Sequence, residues 1–154
     1  MSIGNVATIA LLGIAGGLLL VQFVPVQRTN PPVTGDVSAP PTVESTLRRA
    51  CYDCHSNETQ WRRLSRVAPI SWLAARDVEL GRRQVNFSEW GSYYPITRKR
   101  KLQLMDRALQ QEAMPPWLYR IGHPDARLSA EDREALERWI DVEISGLPPK
   151  SPSK

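Results

Sequence analysis

Cys51-Tyr52-Asp53-Cys54-His55 is the one stretch of this chain whose residue types and spacing suit a defined piece of covalent chemistry. Two cysteines three apart on a helical turn project to the same side, where each thiol can add to one vinyl group of a haem as a thioether. The next residue then brings an imidazole under the porphyrin, so His55 is expected as the proximal iron ligand. A thioredoxin-like redox pair, a structural disulfide and half of a zinc site are the competing readings. A zinc site needs further donors, but beyond this run the chain holds only His123 and no other cysteine. A thioredoxin motif belongs in a β-α-β pattern, and no alternating strand pattern is found.

An iron held on one side by His55 invites a ligand on the other. Gln111-Glu-Ala-Met114-Pro115-Pro116-Trp117 is the best source. A residue before proline is pushed out of α conformation, so Met114 is expected to end a helix in an extended segment stiffened by two prolines. A thioether there would be a soft axial ligand that raises the reduction potential. His123, also before a proline, is the runner-up and would give a bis-histidine haem of lower potential. An open or exchangeable distal position is the third choice.

The elements that position these residues are helical. Thr42 is expected to cap a first helix running towards Cys54, with Glu44 in its opening turn. A second helix, from Pro69 or Ser71 to about Gly81, carries Ile70, Leu73, Ala74 and Val78 at helical spacing. A third starts around Thr97 and aligns Leu102, Met105, Ala108 and Leu109. In the fourth, Ser129 is the N-cap, Glu131 and Asp132 fill the first turn, Leu136, Trp139, Ile140 and Ile144 share a face, and Gly146 and Pro148 stop it. Arg98, Lys99, Arg100 and Lys101 crowd the start of the third helix, where they oppose its dipole. The expected fold is all-α: a small, cytochrome c-like helical haem domain behind one N-terminal transmembrane helix.

Four segments follow along the 154 residues. Residues 1–27 hold no charged side chain, and Val6 to Val24 is almost wholly apolar, long enough at about 1.5 Å per residue for roughly 30 Å of hydrocarbon. It reads as an uncleaved anchor. A cleaved secretory signal would need a basic n-region, a shorter apolar run and a small-residue cleavage site, where this chain has Pro25-Val26-Gln27. Residues 28–41 are a Pro-rich linker, semi-extended and tether-like. Residues 42–147 form the haem domain and 148–154 a disordered tail. All charged side chains lie from Arg28 onward, so the part beyond the anchor carries the whole formal charge of +4. That surplus suits an acidic partner or membrane surface, though a solvated face explains it as well, and nothing supports nucleic-acid binding.

The order helix, Cys-x-x-Cys-His, Met-Pro-Pro loop and C-terminal helix resembles class I c-type cytochromes. The wider pattern is similar to a family of small, usually membrane-anchored bacterial haem-binding-domain proteins. Cys51-Tyr-Asp-Cys-His-Ser-Asn-Glu-Thr59, Val67-Ala-Pro-Ile-Ser-Trp-Leu73, Asn86-Phe-Ser-Glu-Trp90, Met114-Pro-Pro-Trp117 and His123-Pro-Asp-Ala-Arg-Leu-Ser129 carry the resemblance. It implies one covalent haem c in a periplasmic domain, with His55 and Met114 on the iron. Covalent haem attachment in bacteria takes place outside the cytoplasmic membrane, which sets the expected topology: single-pass in the inner membrane, with the domain in the periplasm.

The expected function is single-electron transfer between redox proteins in or at the membrane, with the bilayer contacted through residues 5–24 and no enzymatic activity. A haem sensor or small peroxidase with a displaceable distal ligand, and a haem subunit of a larger membrane complex, are the other readings.

Overall fold

A computed structural model describes residues 3–148; the proposed tail from 149 onward lies outside them. The described residues form seven α-helices and no β-strand, as the periodicities require. α1 (Ile3–Leu20) leads through a short 3₁₀ turn, Val21–Phe23, into an extended segment. α2 (Pro41–Ala50) and α3 (Tyr52–His55) carry the Cys-x-x-Cys-His run, and α4 (Ile70–Gln84) packs on α3. α5 (Pro95–Gln110), α6 (Trp117–Gly122) and α7 (Ala130–Gly146) complete the domain.

Thr42 does not cap α2. Pro41 occupies the first turn, where its fixed φ and missing N–H cost nothing. Thr42 lies inside the helix, and its carbonyl accepts from the Ser45 and Thr46 hydroxyls. The other N-terminal cap is as expected: Ser129 and Asp132 form a reciprocal capping box at the start of α7.

The core lies where α2, α5 and α7 meet, filled by Leu47, Leu102, Leu136 and Ile140. An aromatic run joins it to the loop before α5. Tyr52 stacks on Phe87 at 5.4 Å, Phe87 meets Trp90 at 6.2 Å, and Trp90 meets Trp139 at 6.5 Å. Val37, from the Pro-rich segment, is also in this core. Segment 28–41 therefore follows a docked path. Thr34 and Gly35 N–H both donate to the Ser88 carbonyl at 3.0 Å, and Asp36 accepts from the Tyr52 hydroxyl at 2.7 Å.

The basic run at the head of α5 also finds an explanation outside its own helix. Lys101 Nζ donates to the Gln84 carbonyl at 2.6 Å, capping the negative end of α4, and lies 4.5 Å from the Tyr93 ring centre. Arg98 reaches the Trp90 carbonyl. Two of the four cations thus complement α4 and the Trp90 loop, and their cost against the α5 dipole is offset there.

Asp132 links α7 to α2. Its carboxylate meets Arg49 at 2.6 Å and accepts from the Thr46 hydroxyl at 3.0 Å and the Ser129 N–H at 2.9 Å. Burial pushes its pKa up, but the bonds from Arg49, Ser129 and Thr46 outweigh that and hold it down at about 2, against an ordinary 3.8. A carboxylate depressed in the folded state stabilises the fold above its unfolded pKa and loses that contribution as pH falls towards the folded value. The expected loss between about pH 4 and pH 2 is on the order of 1 kcal/mol after solvent screening. Asp132→Asn should lower stability by about that amount in urea melts at neutral pH, and should flatten the acid limb. A variant with the wild-type pH dependence would contradict this.

Candidate haem site

Two of the five residues of the Cys-x-x-Cys-His run, Tyr52 and Asp53, hold α3 in place. Tyr52 is buried against Phe87, with its hydroxyl on Asp36. Asp53 accepts from the Gln60 N–H and from the Tyr119 hydroxyl, both at 2.8 Å, which ties α6 to α3. Cys51 and Cys54 are free thiols of intermediate exposure. Burial pushes the Cys51 thiol up to about 12, and burial with the nearby Asp53 and Asp77 carboxylates does the same for Cys54. A thioredoxin-type nucleophile needs the opposite shift. Among the described residues no group of three or more His, Cys, Asp or Glu side chains is arranged to hold a metal ion, so the half-zinc reading lacks its donors.

His55 is set from both sides. Its carbonyl accepts from the Phe87 N–H at 2.7 Å, and its Nδ1 lies 3.2 Å from the Val85 carbonyl. A carbonyl oxygen only accepts, so Nδ1 carries the proton and Nε2 keeps its lone pair. Burial pushes the His55 pKa down, opposed in part by the Val85 and Gly81 carbonyls. The outcome is a neutral, oriented imidazole with one nitrogen available to a metal.

Behind His55 lies a buried polar knot. Asn57 N–H donates to Ser88 Oγ at 2.9 Å, Asn86 Nδ2 to Asn57 Oδ1 at 2.9 Å, and Ser88 N–H to Asn86 Oδ1 at 3.1 Å. Arg82 closes it from α4, its Nε donating to the Ser56 carbonyl at 2.7 Å. These are the residues of the Ser-Asn and Asn-Phe-Ser motifs, whose resemblance to the family carried no individual roles.

Gly81 was expected to end its helix. Instead α4 runs on to Gln84, and Gly81 is the point where α4 and α3 touch backbone to backbone. A Cβ there would lie 2.4 Å from the Cys54 carbonyl oxygen and 2.9 Å from its carbon. Of the expected stripe Ile70, Leu73, Ala74 and Val78, only Val78 is fully buried. Ser71, Val78 and Gly81 take the buried positions, while Ile70, Leu73 and Leu80 remain partly exposed. Asp77, on the same helix, acts electrostatically on Cys54. On α6, Trp117, Leu118 and Ile121 are also exposed. The two helices that meet α3, α4 through Gly81 and α6 through Tyr119, thus carry uncovered apolar side chains, which suit a large flat apolar cofactor.

Met114 sits on the loop between α5 and α6 and is 40% exposed. A Schellman turn ends α5: Ala113 N–H reaches the Ala108 carbonyl and Glu112 N–H the Leu109 carbonyl, both at 3.0 Å. Its left-handed residue is Glu112, at φ 52°, where glycine is usual. The chain turns sharply there and leads through the buried Pro115 into α6, which Tyr119 fastens to α3. His123 is engaged elsewhere. Its ring stacks on Tyr119 at 3.9 Å, Nδ1 is bonded to the Tyr119 carbonyl at 3.0 Å, and Nε2 faces Asp53 at 3.8 Å.

The contact at Gly81 yields a direct test. Gly81→Ala must drive the two backbones apart and is expected to cost about 2 kcal/mol or more, read as a lower urea midpoint and a lower yield of haem-loaded protein. Wild-type stability in that variant would show that α4 need not approach α3 so closely.

No curated protein and no solved structure matches this chain. A family model described as "haem-binding domain" matches residues 16–142, which takes in the end of α1, the docked segment, the Cys-x-x-Cys-His run, the polar knot and Met114. By that match over most of its length, and with a donor set and apolar walls that suit the group, the chain belongs to the haem-binding domain family.

Proposed function

We propose that this haem protein is a membrane-tethered, periplasmic c-type cytochrome that carries one covalent haem and passes single electrons. The observation that carries the reading is the His55 imidazole, its Nδ1 3.2 Å from the Val85 carbonyl, in the same short run as two unpaired cysteines. In this assignment Cys51 and Cys54 form the thioethers, His55 is the proximal ligand and Met114 supplies the distal one. A haem so held offers a one-electron ferric/ferrous couple. The Val85 carbonyl keeps the imidazole oriented and makes it a stronger donor. The exposed apolar side chains of α4 and α6 exclude water from the site, which together with a thioether ligand favours the ferrous state and a higher potential.

The bond from Tyr119 to Asp53 fits the same role. It holds α6, and with it the Met-Pro-Pro loop, against the short helix that bears the proximal ligand. The His123 ring supports that clasp, a use that favours Met114 over His123 on the iron. The single apolar helix near the N-terminus supports the tether. Redox proteins in or at the inner membrane are the proposed partners, and the chain is proposed to act as a carrier with no catalysis of its own.

The exposure of Met114 favours one alternative, a sensor or small peroxidase in which this ligand gives way. Carbon monoxide separates the two. The ferrous protein is expected to bind it slowly and incompletely, and the ferric protein to show a weak long-wavelength sulfur-to-iron band that Met114→Ala abolishes. Rapid, complete binding to the wild type would favour the alternative, and persistence of the band in the variant would exclude Met114.

The uncovered apolar side chains of α4 and α6 also imply that haem completes the fold. Cys51→Ser/Cys54→Ser protein is expected to lose much of its helical circular dichroism or to melt well below the haem-loaded form. Native-like thermal stability without haem would contradict this.

A further inference from the structure

We propose that the junction between α1 and the folded domain is a binding site for the phosphate of an anionic lipid headgroup. The proposal rests on the reading of α1 as a retained membrane anchor. The chain leaves α1 through Val21–Phe23, and the Gln22 side chain turns back to the domain. Its Oε1 accepts from the Ala68 N–H at 3.0 Å and its Nε2 donates to the Ala68 carbonyl at 3.2 Å. A side-chain amide that pairs with both backbone groups of one residue fixes orientation as a ladder rung does. The domain is therefore clasped to the end of its anchor.

Beside this clasp is a recess of about 250 Å³, lined by Gln22, Arg28, Arg66, Ala68 and Ser71. Arg28 is the first charged residue after the apolar helix. Arg66 arrives from the 3₁₀ turn Leu64–Arg66, and its Nε donates to the Trp61 carbonyl at 3.1 Å, which orients the guanidinium. Among the described residues neither arginine meets a carboxylate. Two cations sharing a recess without a counter-charge suit an anion, and the planar fork of arginine matches phosphate oxygens in pairs.

Depth decides which anion. Phe23, 83% exposed, and the half-exposed Val24 end the apolar run beside the recess, which places the two guanidiniums just beyond the hydrocarbon, at headgroup level. Leu64 and Val67 project exposed from the turn that bears Arg66, as side chains that rest on the acyl boundary do. A phosphodiester is the anion concentrated at that level.

Native mass spectrometry of the full-length, haem-loaded protein in detergent tests this, with short-chain phosphatidylglycerol, short-chain phosphatidylcholine and inorganic phosphate as probes. One retained phosphatidylglycerol is expected at concentrations where the other two leave no adduct. Arg28→Gln/Arg66→Gln should weaken that adduct about tenfold or more with the haem spectrum unchanged, and Arg66→Lys should keep part of the selectivity. Equal binding of phosphatidylcholine, equal binding of free phosphate, or undiminished binding by the double variant would overturn the proposal while α1 stays on the protein. An intact mass lacking the N-terminal helix would instead overturn the anchor reading, and this site with it.

Discussion

The structure depends on how His55 is gripped. On a helix of four residues nothing in the helix itself can fix the direction of the imidazole. The constraint comes from outside. The Val85 carbonyl takes the Nδ1 proton, the Phe87 N–H holds the His55 carbonyl, and Asn57, Asn86 and Ser88 lock those two stretches together in a buried network. A buried network of this kind is stabilising only when fully bonded, so each member constrains its neighbours. The Pro-rich segment joins it as well, because the Asn57 amide donates to the Pro32 carbonyl.

From that grip the remaining architecture follows outward. α4 must lie against the Cys54 carbonyl, which requires glycine at 81 and lets Arg82 bond the Ser56 carbonyl. The end of α4 then falls where Lys101 can cap it. Tyr52 and Asp53, the two residues between the cysteines, point in different directions, one bonded to Asp36 and the other to Tyr119. The short helix bearing the cysteines is thus pinned to the core on one side and to the distal loop on the other. Among the apolar side chains left uncovered are several on α4 and α6, the two helices that meet α3 through Gly81 and Tyr119, and these suit a large apolar group.

The docked segment and the Gln22 clasp change the picture of the tether. A free Pro-rich linker would let the domain range over tens of ångströms. A segment that contributes Val37 to the core and hydrogen-bonds through Thr34, Gly35 and Asp36 holds the domain close to the apolar helix α1.

The Cys-x-x-Cys-His spacing, the long uncharged N-terminus and the helical periodicities sufficed for an all-α haem protein with one apolar helix able to cross a membrane. These signals are local: covalent attachment needs neighbouring residues, a bilayer needs length, and an amphipathic helix repeats within a few turns. The capping box at Ser129 was legible for the same reason. Tertiary structure alone decided that Thr42 lies within its helix, that Gly81 is a contact and no terminus, and that Ile70 and Leu73 stay partly uncovered while Ser71 is buried. Each of these depends on which face of a helix meets a distant backbone, and periodicity finds the stripe without saying what lies across from it. The use of Lys101, the clasp of Tyr119 and His123, and the path of the Pro-rich segment likewise arise from partners far away in sequence, so they became visible only once the chain had folded.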